Sequence, residues 1–325
     1  MRHPAASAAI RLPAASAAIR LPAVPVATRL PAVPVATRLP AASVAGPHIV
    51  LLAAIMVWGT VWGGIWPQAA LAADRSAQLA VPPTPLAAHR ALYTLTLDTS
   101  GNGTGSDVIG ASGRMGYEVI DACDGWATHQ QLDMMVVNSD GQNIHMISDY
   151  TTWEAKDGLS FRFHTRQTTD DAVTSQIDGD ARIDSVGGPG TAHYTSPKDA
   201  TKPLPVGTLF PMAHTAALLA AARAGKKFIA LPLFDGTSED GAEDTSVVVL
   251  DTKPPEATPY PLLSPLPSAR VHLAFFERTP NSITPDYQVS MRYWENGVAD
   301  GLRMDFGDFV MDAKLSDLKV QPHRC

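Results

Sequence analysis

The sequence predicts a mainly β protein: a single antiparallel sheet rolled into an open barrel or strong curl, with one amphipathic helix near residues 211–224. Three observations lead there. Apolar and polar residues alternate with period two in segment after segment. Asp-Gly and Asn-Gly pairs, which tolerate the positive φ of tight hairpins, fall between and among those segments. Only one stretch of the domain gives up period two for helical spacing.

Taken from the N-terminus, the chain opens with five copies of a nine-residue unit, whose arginines stand at Arg2, Arg11, Arg20, Arg29 and Arg38. Proline in every copy breaks any continuous helix, and the unit has too little apolar bulk for a core. An uncharged run, IVLLAAIMVWGTVWGGIW, follows at 49–66, and then the small-x-small site Ala70-Leu71-Ala72. A basic start, an apolar middle and a small-residue site make a secretory signal, with cleavage expected after Ala72. The run is also long enough to span a bilayer, so a retained anchor is the alternative. The expected organisation is therefore 1–72 as repeats plus signal and 73–325 as the exported domain, in the periplasm. Of 25 basic residues, five lie in the first 72, where there are no acidic ones; the remainder carries 20 against 32 acidic residues. A domain this acidic argues against nucleic acid and anionic membrane surfaces as default partners.

The strands come next. Ala91, Tyr93, Leu95 and Leu97 share one face, as do Leu159, Phe161 and Phe163. Further on, Tyr287, Val289, Met291 and Tyr293 alternate with polar residues, then Leu302, Met304 and Phe306, then Phe309, Met311, Ala313 and Leu315. Each segment has one apolar and one polar face, as in a sheet wetted on one side. Asp-Gly pairs at 124–125, 140–141 and 157–158 are spaced as successive hairpins of a meander; others stand at 178–179, 235–236, 240–241 and 300–301, with Asn-Gly at 102–103 and 296–297. Closure or curling hides the edges of so many amphipathic strands.

Pro211 near the start, an Ala/Leu-rich body and Gly225 at the end mark the helix, about Met212–Ala224. Its expected apolar stripe runs Met212, Ala216, Leu219 and Arg223, widened by Leu218 and Ala222. The helix either packs on the sheet or works as a lid, in which case Met212, Ala216, Leu218 and Leu219 face a cavity. A second Pro-rich stretch, 253–267, reads as an ordered surface loop.

Two cysteines exist, Cys123 before an Asp-Gly turn and Cys325 at the end. In an oxidising compartment two such thiols tend to pair; a catalytic thiol or a metal ligand are the alternatives. Ser112 does not complete G-x-S-x-G, and the glycines of 101–105 lack the dinucleotide spacing. His145, His164, His193, His214 and His272 show no metal-ligand spacing. Asp121 with Asp124 could be an acid–base pair but suit a turn. The acidic residues Glu239, Asp240, Glu243 and Asp244 read as a solvated loop. Trp126, Trp153 and Trp294 could line a ligand site but suit a core. No cofactor or metal is expected.

Several stretches then carry a resemblance: ASGRMGYEVIDACDGW at 111–126, WEAKDGLSFRF at 153–163, LPVGTLFPMAHTAALLAAARAG at 204–225, LFDGT at 233–237, FFE at 275–277, YQVSMRYWENGVADGLRMDFGDF at 287–309, and the terminal Cys325. In this order they resemble the cell envelope integrity protein EipB family of alphaproteobacteria. The resemblance implies a periplasmic β-spiral, an open barrel similar to lipoprotein-carrier folds. It implies a disulfide, carried onto Cys123 and Cys325, and a role in envelope integrity with no catalytic activity. The leading expectation is a non-enzymatic protein that binds a periplasmic or outer-membrane envelope protein. A carrier holding a lipid or a lipoprotein acyl chain on the concave face of the sheet is the alternative.

Overall fold

Alternating side chains put one face of each strand inside, and in the computed structural model this produces a single continuous sheet. The structure describes residues 86–100, 106–278 and 283–321. The nine-residue repeats, the apolar run, the cleavage site after Ala72, the glycines of 101–105 and Cys325 lie outside those residues.

The strands in chain order are β1 (His89–Leu97), β2 (Val108–Asp121), β3 (Gly125–Asn138), β4 (Asn143–Ala155), β5 (Ser160–Thr169), β6 (Ala172–Ile183), β7 (Gly190–Ser196) and β8 (Ala200–Leu204). The helix α1 (Pro211–Arg223) follows. Then come β9 (Phe228–Leu233), β10 (Glu243–Lys253), β11 (Ser268–Phe276), β12 (Tyr287–Trp294), β13 (Ala299–Asp305) and β14 (Val310–Val320). All 14 strands form one sheet in the order β8-β7-β6-β5-β4-β3-β2-β1-β14-β13-β12-β11-β10-β9. The first strand therefore lies between the second and the last, antiparallel to both. Two meanders run outward from this centre, and α1 joins their far ends. On the way to α1, Leu209 donates its N–H to Pro232 O at 2.9 Å and accepts one from Phe234 at 3.0 Å. The chain leaving one edge is thus laced onto the opposite edge, and the sheet curls as an open barrel.

The expected inward residues are inward. Tyr93, Leu95, Phe161, Phe163, Val289, Tyr293, Met304 and Met311 are all buried. The core has two parts. The larger lies inside β1–β3 and β10–β14 with α1, and the smaller is an aromatic cluster of Phe161, Phe163, Tyr194, Phe210 and Phe234 under β5–β8. Phe210 stacks on Phe161 at 4.9 Å, and Phe234 meets Phe163 edge-on at 5.4 Å. Between the two parts, the inner face of β3–β5 carries the buried polar side chains Gln130, Ser148, Thr165 and Gln167.

The turn pairs divide. Those at 124–125, 140–141, 157–158 and 296–297 are hairpin turns. Asp178-Gly179 instead sits within β6 at a register shift, and Asp300-Gly301 lies within β13. Packing overrides turn chemistry at Gly179: a Cβ there would stand 2.2 Å from His193 O. Gly236 belongs to the segment between β9 and β10, which turns into the barrel and packs on the aromatic cluster. Its φ is +74°, and a Cβ would lie 2.3 Å from Phe163 Cγ. Gly236→Ala is expected to cost about 3 kcal/mol or more, from backbone strain together with overpacking. A thermal melt against wild type measures it.

The helix starts and stops as expected, and its C-terminus forms a Schellman motif: Gly225 N–H donates to Ala222 O and Lys226 N–H to Ala221 O, with Gly225 at φ +72°. Its buried face differs from the expected stripe. Met212, Leu218, Leu219 and Ala222 are buried as expected, but His214 and Thr215 also point inward, whereas Ala216 is only half-buried and Arg223 is exposed and pairs with Glu295 at 2.9 Å. The Pro-rich stretch also does more than cover the surface. Leu263 is fully buried in the larger core, and Tyr260 donates to Leu315 O at 2.6 Å.

Candidate functional site

The sequence rule that makes α1 also leaves it incomplete. Pro211 at the first turn needs no partner for its missing N–H, but the N-cap is Phe210, whose side chain offers no acceptor. The orphan donors are satisfied from across the barrel. Glu154, near the end of β4, accepts from Met212 N–H at 2.7 Å and from Ala213 N–H at 2.8 Å. The carboxylate is buried, and burial pushes its pKa from near 4.5 up to about 7 against the pull of the two N–H groups. In the same turn, His214 is buried and burial lowers its pKa to about 4, so its ring is neutral at pH 7. Thr245 donates its hydroxyl to Leu231 O at 2.7 Å, which leaves His214 Nε2–H donating to Thr245 Oγ1 at 2.9 Å. The helix is held at its N-terminal turn by these two groups.

A cleft of about 650 Å³ opens beside this turn. Its lining includes Leu86, Trp126, Glu154, Lys156, Met212 and Ala216. The β2–β3 and β4–β5 hairpins form its rim. There Lys156 Nζ bonds Asp121 Oδ1 at 2.5 Å and stands 5.0 Å over the Trp126 ring. Cys123 N–H donates to the same Asp121 oxygen at 3.0 Å. The cleft therefore offers an apolar wall, one aromatic ring and a charged rim. That equipment suits holding part of a molecule.

The four helix residues expected to face one cavity are spread over three places. Met212 and Ala216 line this cleft. Leu219 lines a smaller one of about 310 Å³ with Ala222 and Arg223, and Leu218 is buried in the core. Asp121 serves the rim, not an acid–base pair with Asp124. Of the tryptophans, Trp126 borders the cleft and Trp294 is core. Glu243 of the acidic segment is buried and not solvated. His145, His164 and His193 each sit against an aspartate on the outer surface. Sequence reading missed Glu154. Its signal was available: it occupies an inward position of β4, in step with Ser148, Tyr150 and Thr152, where a carboxylate needs a buried partner.

The model of the EipB-like family matches residues 80–322. The chain belongs to the EipB-like family. The cell envelope integrity protein EipB of Brucella abortus is 31% identical to this EipB-like chain over 281 residues, covering 84% of the chain and 95% of that protein. A crystal structure of a β-barrel-like protein from Brucella abortus, described as a domain of unknown function, superposes with a TM-score of 0.66 at 31% identity. It covers 74% of this chain and 100% of the other. The mainly β, barrel-like architecture read from the alternation pattern is thus shared with a solved structure at 31% identity.

Proposed function

We propose that this EipB-like protein is exported to the periplasm and maintains cell envelope integrity without catalysis, by binding another envelope protein at the cleft beside α1. The observation that carries the reading is the likeness to a protein named for envelope integrity, which extends over 95% of that protein's length. The cleft supports a binding role: it pairs an apolar wall with a charged rim on a rigid frame. In cells lacking their own EipB-like gene, expression of the full chain should restore growth under detergent stress. A version without residues 1–72 should not, nor should Ala216→Lys, which places a cation in the cleft. Failure of the full chain at normal periplasmic levels would overturn the proposal.

In the same reading Cys123 bonds Cys325. The described residues hold no free cysteine. Gln321, four residues before Cys325, borders the same cleft as Asp121 and donates to Glu118 Oε1 at 3.0 Å. Gln321 thus stands beside the hairpin bearing Cys123, which supports the pairing.

The alternative, a carrier of a lipid or acyl chain, draws its support from the apolar wall of the cleft. The concave face of the sheet is filled by the protein's own helix and aromatic cluster, so an acyl chain would enter beside Met212 and Ala216. Native mass spectrometry of the exported protein separates the readings. A reproducible lipid adduct lost in Ala216→Lys favours the carrier, and an unliganded mass favours the protein partner.

A further inference from the structure

The outer surface divides by how its arginines are partnered. In the C-terminal half, Arg223, Arg270, Arg278, Arg292 and Arg303 each have a carboxylate within 4.0 Å. On β1–β7, Arg90, Arg114, Arg162, Arg166 and Arg182 are exposed, and among the described residues none has a carboxylate at that distance. Acids are not lacking there; histidines and a glutamine hold them. His129 bonds Asp149 at 3.1 Å and His145 bonds Asp133 at 2.8 Å. Asp178 is bonded by His164 and, at 3.0 Å, by Gln176. Asp180 lies 3.8 Å from His193, which also reaches Asp199 at 3.3 Å. This inverts the usual preference, since guanidinium is the permanent cation with the fork geometry that carboxylates fit.

Two of the unpartnered arginines meet in one place. In the β5–β6 register Arg182 lies across from Ser160, and Arg162 across from Asp180. Both line a groove of about 450 Å³ on the outer face, together with Trp153, Ser160, Asp180 and Thr195. Arg162 rests 5.1 Å over the Trp153 ring, which restricts its stem before any ligand arrives. Two guanidiniums and two hydroxyls form a set rich in donors. A phosphodiester, whose two charged and two ester oxygens fan out tetrahedrally, can meet donors from several directions at once, where a planar carboxylate offers acceptors in one plane. Two cations and one carboxylate give the groove a net charge of +1, which matches a singly charged ligand.

We propose that this groove binds a phosphodiester group, with Arg162 and Arg182 on its two unesterified oxygens and Ser160 and Thr195 donating beside them. The group could belong to a phospholipid headgroup or to a soluble phosphodiester, and the test separates the two. Exported protein is titrated with glycerophosphoglycerol by phosphorus NMR. It is also sedimented with vesicles of phosphatidylcholine and phosphatidylglycerol in equal parts, both near physiological salt. Binding in either arm should weaken by about tenfold or more in Arg162→Gln/Arg182→Gln, since each charge-assisted bond is worth at least that factor. Arg90→Gln removes an equally unpartnered arginine outside the groove and should bind as wild type. Binding of the soluble diester shows that the phosphodiester itself is read; binding to vesicles alone shows that a headgroup at a surface is needed. Should the double variant fail to fold, Arg182→Gln alone serves. No wild-type binding in either arm, or an equal loss in Arg90→Gln, overturns the proposal.

Discussion

Serine in place of Cys325 is expected to lower the stability of the exported protein by roughly 5 kcal/mol, because the proposed bond closes a loop of about 200 residues and restricts the unfolded chain accordingly. Against a total of about 5–15 kcal/mol for a typical domain, this is a large share. The urea midpoint should fall by about 2 M. Reductant should bring wild type down to the variant, and Cys123→Ser/Cys325→Ser should match both. The native pairing of β1 with β14 survives in all of them, since Gln321 N–H donates to Ala88 O at 2.8 Å without help from sulfur. The variant should therefore fold at low temperature and lose its margin on heating. A midpoint unchanged between Cys325→Ser and oxidised wild type would count against the staple.

The second large effect belongs to Glu154. Glu154→Leu leaves two buried N–H donors at the start of α1 without an acceptor, each worth about 1–3 kcal/mol. A loss of about 3 kcal/mol at pH 5 is expected in chemical denaturation. Titration gives a finer signature. The folded carboxyl titrates at about 7 and an unfolded one near 4.5, so between those values the native state keeps a proton that the unfolded state has released. The Glu154 contribution is fully present below pH 4.5 and is lost as pH rises to about 7, by about 3 kcal/mol in all. His214 acts in the opposite sense. Its folded pKa is about 4 against an ordinary 6.5, so its contribution is lost as pH falls from 6.5 toward 4. The two slopes oppose each other over most of that window. Glu154→Gln should remove one of them, leaving a protein whose stability rises with pH between about 4 and 6.5. A variant with the wild-type pH profile would show that the carboxyl is not the titrating group.

The sheet was legible because burial on one face writes period two directly into the residues, as at Tyr287–Tyr293, and because Pro211 and Gly225 mark helix ends by backbone chemistry alone. The Asp-Gly pair at 178–179 misled, since a close approach of backbone to His193 asks for glycine as strongly as a turn does. The orientation of α1 was not legible. An Ala-rich helix has little contrast between faces, and the inward choice rests on polar residues: His214, whose partner Thr245 lies on a distant strand, and Thr215, which bonds back to Pro211 O within the helix. The cleft was legible only in fragments. Asp121 and Trp126 pair across one hairpin and Glu154 pairs with Trp126 on the next strand, but Met212 comes from a distant stretch that only the curl of the sheet brings to them. The staple rests on the oxidising compartment and on family resemblance, neither of which is a matter of spacing.

The protein is expected to be an exported wall of hairpins, joined first strand to last and stapled by sulfur. Peptide mass mapping of the secreted protein without reductant tests it most directly. The prediction is a chain beginning at Ala73 and one cross-linked pair of peptides holding Cys123 and Cys325. Two alkylatable thiols, or a mature chain that still carries residues 49–66, would contradict it.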